Sequence, residues 1–429
     1  MKPQFCLLPL ATTALLVAMP CYGEDWTQWR GPRFDGVSNE TGLATHWGPE
    51  TNILWRVPLP GPAGATPIVA GGRLFVSTVD GDRLLLLCFS TDGNELWRRE
   101  IGSGNQPARR DEGNSASPSP TTDGKSVVVL MGSGDLASFD FDGELQWKFN
   151  VQDRYGKLQI SFGLSSTPIL YDGRVYFQLI HGDGDPDTHE ARVVAVDAAT
   201  GKQVWAHQRV TGASKECEQA YTSPMIYGLS GQGAKPMLLT HGADFIIAHA
   251  LQDGCELWRC GGMNPPGNYH RTLRFVSSPG VGEGLIVAPT AKKGPVFGLL
   301  PGGSGDIQAT QFVAWKRDRN TPDVPTPLIH DGLVYLCAEN GVLRCADAAT
   351  GETVYTERLI SDRYRASPVF ADGKVFCISR KGVVSVVQPG REFKLLAEND
   401  MQEPTSSSLA FCDGVIYQRT FKALYAIKP

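Results

Sequence analysis

One short element recurs along the whole chain, a pair of small residues followed by proline. It reads ATP at 65–67, ASP at 116–118, STP at 166–168, TSP at 222–224, SSP at 277–279, PTP at 325–327 and ASP at 366–368, with SSL at 407–409 as a degenerate eighth copy. After most copies comes a strand–turn–strand pattern: PILYDGRVYF (168–177), PLIHDGLVYL (327–336), PVFADGKVFC (368–377) and LAFCDGVIYQ (409–418). Alternating apolar residues around Asp-Gly specify a tight hairpin, because glycine accepts the positive φ of a type I′ turn. A second strand pair follows in each unit, clearest in AVDAATGKQVW (195–205) and CADAATGETVY (345–355). Four short strands per unit, at spacings of about 41–56 residues, indicate the blades of a β-propeller. No unit carries a 3.6-residue apolar period, which excludes a helical solenoid.

The ends of the chain set the blade count. Seven units run from residue 65 to about 398, and three further strands over 407–427 lack a fourth. Ahead of the first unit, NILWRVPL (52–59) reads as an isolated outer strand. Joining it to the C-terminal strands completes an eighth blade and removes a free sheet edge. The expected fold is therefore an all-β, eight-bladed propeller over residues 52–429, preceded by a lead segment at 24–51. Each unit ends in an aromatic residue: Trp55, Trp97, Trp147, Trp205, Trp258, Trp315 and Tyr355. Recurrence once per blade marks these rings as packing staples, with the ring covering the neighbouring blade and its polar atom bonded to a loop.

AVDAATGKQVW matches the A-x-D-x-x-T-G-K-x-x-W signature of the PQQ-like propeller repeat, and the chain resembles that family over nearly all of the propeller region. The opening DWTQWRGPRFDGVSNE (25–40) is similar to the lead segment of secreted bacterial members. The resemblance implies blade-packing roles for Asp197, Thr200, Gly201 and Trp205. It spans both the propeller subunit of the outer-membrane β-barrel assembly machinery and the quinoprotein alcohol dehydrogenases. The latter usually carry adjacent cysteines, a calcium-bound pyrroloquinoline quinone and a catalytic aspartate. This chain has no Cys-Cys dipeptide and no CxxCH, and it lacks HExxH, GxSxG and GxGxxG.

The net charge of −5 argues against a nucleic-acid partner. At the N-terminus one lysine precedes an apolar run and then small residues, the pattern of a secretory signal peptide over 1–23. Small residues at Cys21 and Gly23 place the expected cut after Gly23. A lipoprotein reading would lipidate Cys21, but Pro20 and Ala18 fit that signal poorly. The expected protein is periplasmic or envelope-associated, monomeric, and without a membrane span once the signal is removed. Eight cysteines then remain. Cys255 and Cys260, or Cys337 and Cys345, are close enough in sequence to pair, and buried free thiols are the alternative.

The turns of the repeat fall on two faces. One set is short and mostly Asp-Gly, whereas the other is long and carries Arg109, Arg110, Arg154, Arg271, Arg274, Arg319, Arg363 and Arg365 with Tyr155, Tyr221, Tyr269 and Tyr364. Long insertions on one face mark a binding face. Residues just before the inner strands, Asn114, Gln219, Tyr221, Arg274, Asp323 and Arg365, are expected to ring the mouth of the central channel. The stretch HGDGDPDTHE (181–190) lies on the same face and offers Asp183, Asp185, Asp187 and Glu190 as oxygen ligands for calcium. It is no EF-hand, since Thr188 and Val194 stand where that loop needs Gly and Glu. The expected function is a non-enzymatic binding or assembly scaffold with no cofactor, using the loop-rich face for a protein or envelope ligand. The alternative is an oxidoreductase holding quinone and calcium at the channel mouth.

Overall fold

A computed structural model describes residues 23–108, 113–229, 235–291 and 294–429. Residues 1–22 of the expected leader at 1–23, and the arginines at 109 and 110, lie outside the described residues. Eight antiparallel sheets surround a central axis. In the first blade the order from inside to outside is Ile68–Ala70, Arg73–Asp80, Arg83–Ser90 and Glu95–Ser103. Blades two to seven follow over 121–150, 169–208, 225–260, 280–317, 328–358 and 369–400. In the eighth, Ala410–Cys412, Val415–Arg419 and Ala423–Ile427 are completed by Ile53–Pro58, which pairs antiparallel with Ala423–Ile427. The two ends of the chain thus close the ring within one sheet. Inner strands are packed on both faces by neighbouring blades, and those of the first and eighth blades are continuously buried; outer strands such as Ile53–Pro58 alternate between half-buried and exposed.

The hairpins form as the Asp-Gly pairs require. Asp172 and Gly173 have φ of 48° and 70°, the double left-handed geometry of a type I′ turn.

The small residue before each proline has a second task. Thr66 N–H donates to Ser119 Oγ (2.9 Å), Ser119 N–H to Thr167 Oγ1 (3.1 Å), Thr167 N–H to Ser223 Oγ (2.9 Å) and Ser223 N–H to Ser278 Oγ (2.9 Å). Thr326 N–H donates to Ser367 Oγ (3.0 Å), Ser367 N–H to Ser408 Oγ (3.0 Å), and Ser408 N–H returns to Thr66 Oγ1 (3.2 Å). Every blade is therefore stitched to the next around the axis, except between the fifth and sixth, where Ser277 Oγ donates to Pro325 O (2.8 Å). The inner strands begin here, so no partner strand satisfies these N–H groups, and the neighbouring hydroxyl does so instead. In the second blade the stitching residue is Ser119, three residues beyond the start of the ASP copy at 116–118.

The aromatic staples work between blades. Trp55 Nε1 donates to Thr91 O (2.8 Å), Trp97 to Phe141 O (2.8 Å), Trp147 to Ala198 O (2.7 Å), Trp205 to Leu251 O (3.2 Å) and Trp315 to Ala348 O (2.8 Å). Each acceptor lies in the outer turn of the following blade. A Cβ on the turn glycine Gly201 would sit 2.7 Å from the Trp147 ring, so that glycine is needed both for its φ of 65° and for close approach of the indole. Trp258 departs from the pattern. The fifth blade replaces the short turn with an insertion over 300–312, whose Gly305–Asp306 pairs parallel with the outer strand of the fourth blade. The Trp258 Nε1 is buried without an acceptor, and Tyr355 instead meets Phe393 edge-on at 5.7 Å.

The lead segment runs across the face that carries the Asp-Gly turns. Val69 N–H donates to Trp26 O, Thr122 N–H to Thr27 O, and Ser38 N–H to Phe370 O, which ties the segment to the first, second and seventh blades. Trp47 Nε1 reaches Gln418 in the eighth (3.1 Å). Arg30 is fully buried, and its guanidinium donates to Pro368 O (2.6 Å), Asp35 O (3.0 Å) and Pro327 O (3.2 Å). Burial lowers its pKa to about 10, so it stays charged at neutral pH. The segment therefore floors the channel on this side. A second fully buried arginine, Arg419, donates to Ala65 O (3.1 Å) and Ser77 O (2.6 Å) across the junction of the eighth and first blades.

All eight described cysteines are free thiols. Cys337 is paired in register with Leu343, and Cys345 with Tyr335, so the two thiols are offset along their strands. Cys337 meets Cys377 of the next blade instead.

Two outcomes test the stitching and the floor. Thr167→Val keeps the side-chain shape but orphans the Ser119 N–H, and should destabilise by about 1–3 kcal/mol, whereas Thr167→Ser should be near neutral; denaturant unfolding compares them. Arg30→Ala leaves three buried carbonyls without a donor and should cost about 3 kcal/mol or more, read as a lowered melting midpoint.

Candidate functional site

The loops of the opposite face enclose a cavity of about 460 Å³ at the mouth of the channel, within the usual range for a small-ligand site. Its walls come from loops around the whole ring: Gly64 and Asn114, Phe162 and Ser165, Tyr221, Arg274 and Val276, Asp323 and Glu339, Arg365, and Ser406. Five of the six residues expected at the rim line it. Gln219 stands behind, accepting from Ser161 N–H (2.9 Å) and from the Tyr221 hydroxyl (3.4 Å).

Each lining group is held in place. Asn114 donates from Nδ2 to Pro62 O (2.6 Å) and accepts from Ala116 N–H (3.0 Å), which fixes the entrance to the second blade. The Tyr221 hydroxyl accepts from Phe162 N–H (3.3 Å), and the two rings sit 5.9 Å apart. Arg274 lies over the Phe162 face at 4.8 Å and pairs with Glu216 (3.0 Å). Across the cavity Arg365 pairs with Glu339 (3.1 Å), and both guanidinium side chains are nearly buried, at 12% exposure for Arg274 and 11% for Arg365. Glu339 is held below the usual carboxylate range: burial, which would raise it, is outweighed by hydrogen bonding to Asp323 and by the charges of Arg365 and Arg363. Asp323 has a φ of 73°, a conformation aspartate tolerates and that turns the chain at the rim.

Sequence reasoning missed Phe162, Glu216 and Glu339. The first sits mid-loop rather than just before an inner strand. The glutamates became visible only once the arginines had positions. The cavity combines an apolar side (Phe162, Leu164, Val276, Val324) with two oriented cations, each backed by a carboxylate.

The stretch 181–190 joins the middle strands of the third blade on this same face, at the address expected. Its acidic residues divide. Asp183 and Glu190 come together with Glu218 from the next loop, one oxygen of each lying within 4.8 Å of the others. Asp185 and Asp187 stay outside that group, and Asp185 Oδ1 accepts from Asp187 N–H (3.1 Å). These hard oxygen donors suit calcium better than a soft metal. His181 is buried, accepts from Gln159 N–H at Nδ1 (3.3 Å) and is held neutral by burial, so it is a packed histidine. Glu218 accepts from Gly184 N–H (2.6 Å), and its carboxyl is pushed up to about 7 by burial and by the neighbouring Glu190, Asp183 and Asp185.

The fold and this site define a class: an eight-bladed propeller, floored at one end, with a ligand-sized cup at the other. The chain belongs to the family of PQQ-like propellers whose model is described as outer membrane protein assembly factor BamB, which matches residues 37–177, 86–357 and 243–390. No curated protein matches the chain in sequence. Among solved structures it is similar to BamB from Moraxella catarrhalis (13% identity, TM-score 0.56, covering 87% of this chain and 94% of that one). It is also similar to quinohemoprotein alcohol dehydrogenase from Comamonas testosteroni (13% identity, TM-score 0.68, 94% and 80%). A europium-containing methanol dehydrogenase gives 11% identity and a TM-score of 0.71, over 95% and 98%. These likenesses establish a shared propeller fold.

The raised Glu218 carboxyl has a pH signature. Its unfolded value is near 4.5 and its folded value about 7, so the folded chain holds the extra proton between them. Stability from this group is full below pH 4.5 and is lost as pH rises through 7. With a chelator present, Glu218→Gln should raise the melting midpoint at pH 8 and leave it unchanged at pH 4.5.

Proposed function

We propose that this protein is an exported, non-enzymatic binding scaffold that takes a protein or envelope ligand on its loop-rich face, with the cup at the channel mouth as the recognition centre. The carrying observation is the lining of that cup. Loops from around the ring converge on an apolar wall flanked by Arg274 and Arg365, and both guanidiniums are pre-oriented by Glu216 and Glu339. Aromatic and arginine side chains held in a pocket are the groups that dominate recognition surfaces. The family description, an outer membrane assembly factor, supports an envelope setting. Among the described residues no helix is long and apolar enough to cross a membrane.

The chemistry of the mouth favours this reading over the quinone–calcium alternative. Among the described residues, the one group of three His, Cys, Asp or Glu side chains with converging donor atoms is Asp183–Glu190–Glu218, in another loop. At the mouth, hydrogen bonding to Asp323 and the charges of Arg365 and Arg363 lower the Glu339 carboxyl, so its acidic groups are already engaged.

Site-specific photo-crosslinking from position 406, in the cup wall, tests the reading in envelope preparations. A discrete crosslinked partner is expected, and Arg274→Gln should cut its yield at least about ten-fold, since charge-assisted contacts at such centres are worth 1.5 kcal/mol or more. Saturable quinone binding with calcium, together with alcohol-dependent dye reduction, would replace this reading with the oxidoreductase.

A further inference from the structure

Where the lead segment meets the turn of the closing blade, carboxylates gather on three backbone nitrogens. Glu40 is 7% exposed; its Oε2 accepts from Gly414 N–H (2.6 Å) and its Oε1 from Glu24 N–H (2.9 Å). Asp413 Oδ1 accepts from Gly23 N–H (2.7 Å). Asp25 stands close by, its carboxyl raised by burial and by the charge of Asp413. Among the described residues neither Glu40 nor Asp413 has an arginine or lysine ion-pair partner. Arg33 is taken by Glu24 and Asp35, and Lys428 reaches only the main-chain oxygen of Asp413 (3.4 Å). A nearly buried carboxylate facing only amide N–H groups lacks the full positive charge that would offset its desolvation. The chain also passes this point only as glycine, because a Cβ on residue 23 would come within 2.5 Å of Asp413 N.

We infer that the Gly23–Glu24 bond is cut on maturation and that the freed α-ammonium of Glu24 seats on Glu40, with Asp413 beside it. The step is a hydrolysis by a signal endopeptidase of the exporting membrane: water adds across the peptide bond, Gly23 leaves with the carboxylate, and the Glu24 amine takes up a proton. Glu40 already receives the Glu24 nitrogen at hydrogen-bond distance, so the cut converts an amide contact into an ion pair without moving the chain. The new charge pins the lead segment to the turn of the blade that closes the ring. The cut rests on the export reading, whereas the ion pair can be tested without it.

A chain released from a fusion so that it begins at Glu24 is compared with one carrying a short neutral extension through Gly23. At pH 6.5 the free-amine chain should melt about 1–2 °C higher. A paired ammonium has its pKa raised, so this gain is present below the free α-amino value near 8 and lost as pH rises above it. Of the groups facing the site, Asp25, Glu24, Glu40 and Asp413 are present in both chains, and burial pushes the Cys412 thiol above this window. Lys428 is common to both chains. Glu40→Gln should erase the difference between the two chains. Equal midpoints at pH 6.5, or a gap that persists in Glu40→Gln, would overturn the ion pair. N-terminal sequencing of the protein recovered from the envelope of an exporting host should give Glu24 first, and any other first residue would overturn the cut.

Discussion

The ring of hydroxyl-to-amide hydrogen bonds around the axis is the interaction on which the rest of the structure depends. A propeller blade begins at its innermost strand, the point of closest approach between blades, where a first N–H has no strand to pair with. Placing Ser or Thr just before the proline lets the next blade supply the missing acceptor, as in the run Thr66, Ser119, Thr167, Ser223 and Ser278. Proline then starts the strand without adding another unpaired donor. Because each hydroxyl links adjacent blades, the ring fixes their angular spacing, and the loops entering the inner strands inherit that spacing. The cup exists because those loops are held at fixed distances around one axis.

Outward from the axis the same logic continues in different chemistry. At the rim of the wheel an indole from one blade donates to a turn carbonyl of the next at five of the eight junctions, so those junctions are closed at both radii. The fifth blade shows what happens when the turn is lost. Its insertion adds a strand to the neighbouring sheet, and Trp258 stays buried with its N–H unpaired. Along the axis, closure comes from the lead segment, which puts Arg30 among carbonyls of the sixth and seventh blades. A channel floored at one end has a single mouth, and the long loops are gathered there.

Much of this was legible in the residues. Hairpins follow from Asp-Gly between alternating apolar runs, and the blade count from an orphan strand at 52–59 opposite an incomplete final unit. The face carrying the site follows from loop length, since the alternation of turns between two faces is a consequence of strand order. Other features were not legible. Nothing in SASPSP distinguishes Ser117 from Ser119 as the stitching residue until the second blade has a register. The pairing of Gly305–Asp306 with Trp258 joins residues too few and too polar to announce a strand. Glu218 joins Asp183 and Glu190 from a separate loop, displacing two aspartates that look equivalent in sequence. Glu216 and Glu339 gain meaning only when Arg274 and Arg365 lie beside them.

By itself, then, the sequence determined the repeating unit, the number of blades, the closure of the ring and the face on which long loops collect. Each of these rests on local periodicity and turn chemistry, which act over a few residues and recur often enough to be read. Only the tertiary structure decided which side chains meet across blades: the partners of the two mouth arginines, the membership of the acidic group, the burial of Arg30 and the carboxylates that await a charge at Glu24. These contacts join residues tens to hundreds of positions apart, as when Arg30 reaches Pro368 and Gly23 reaches Asp413. No local pattern encodes such separations, because they are set by the angle and radius at which whole blades pack.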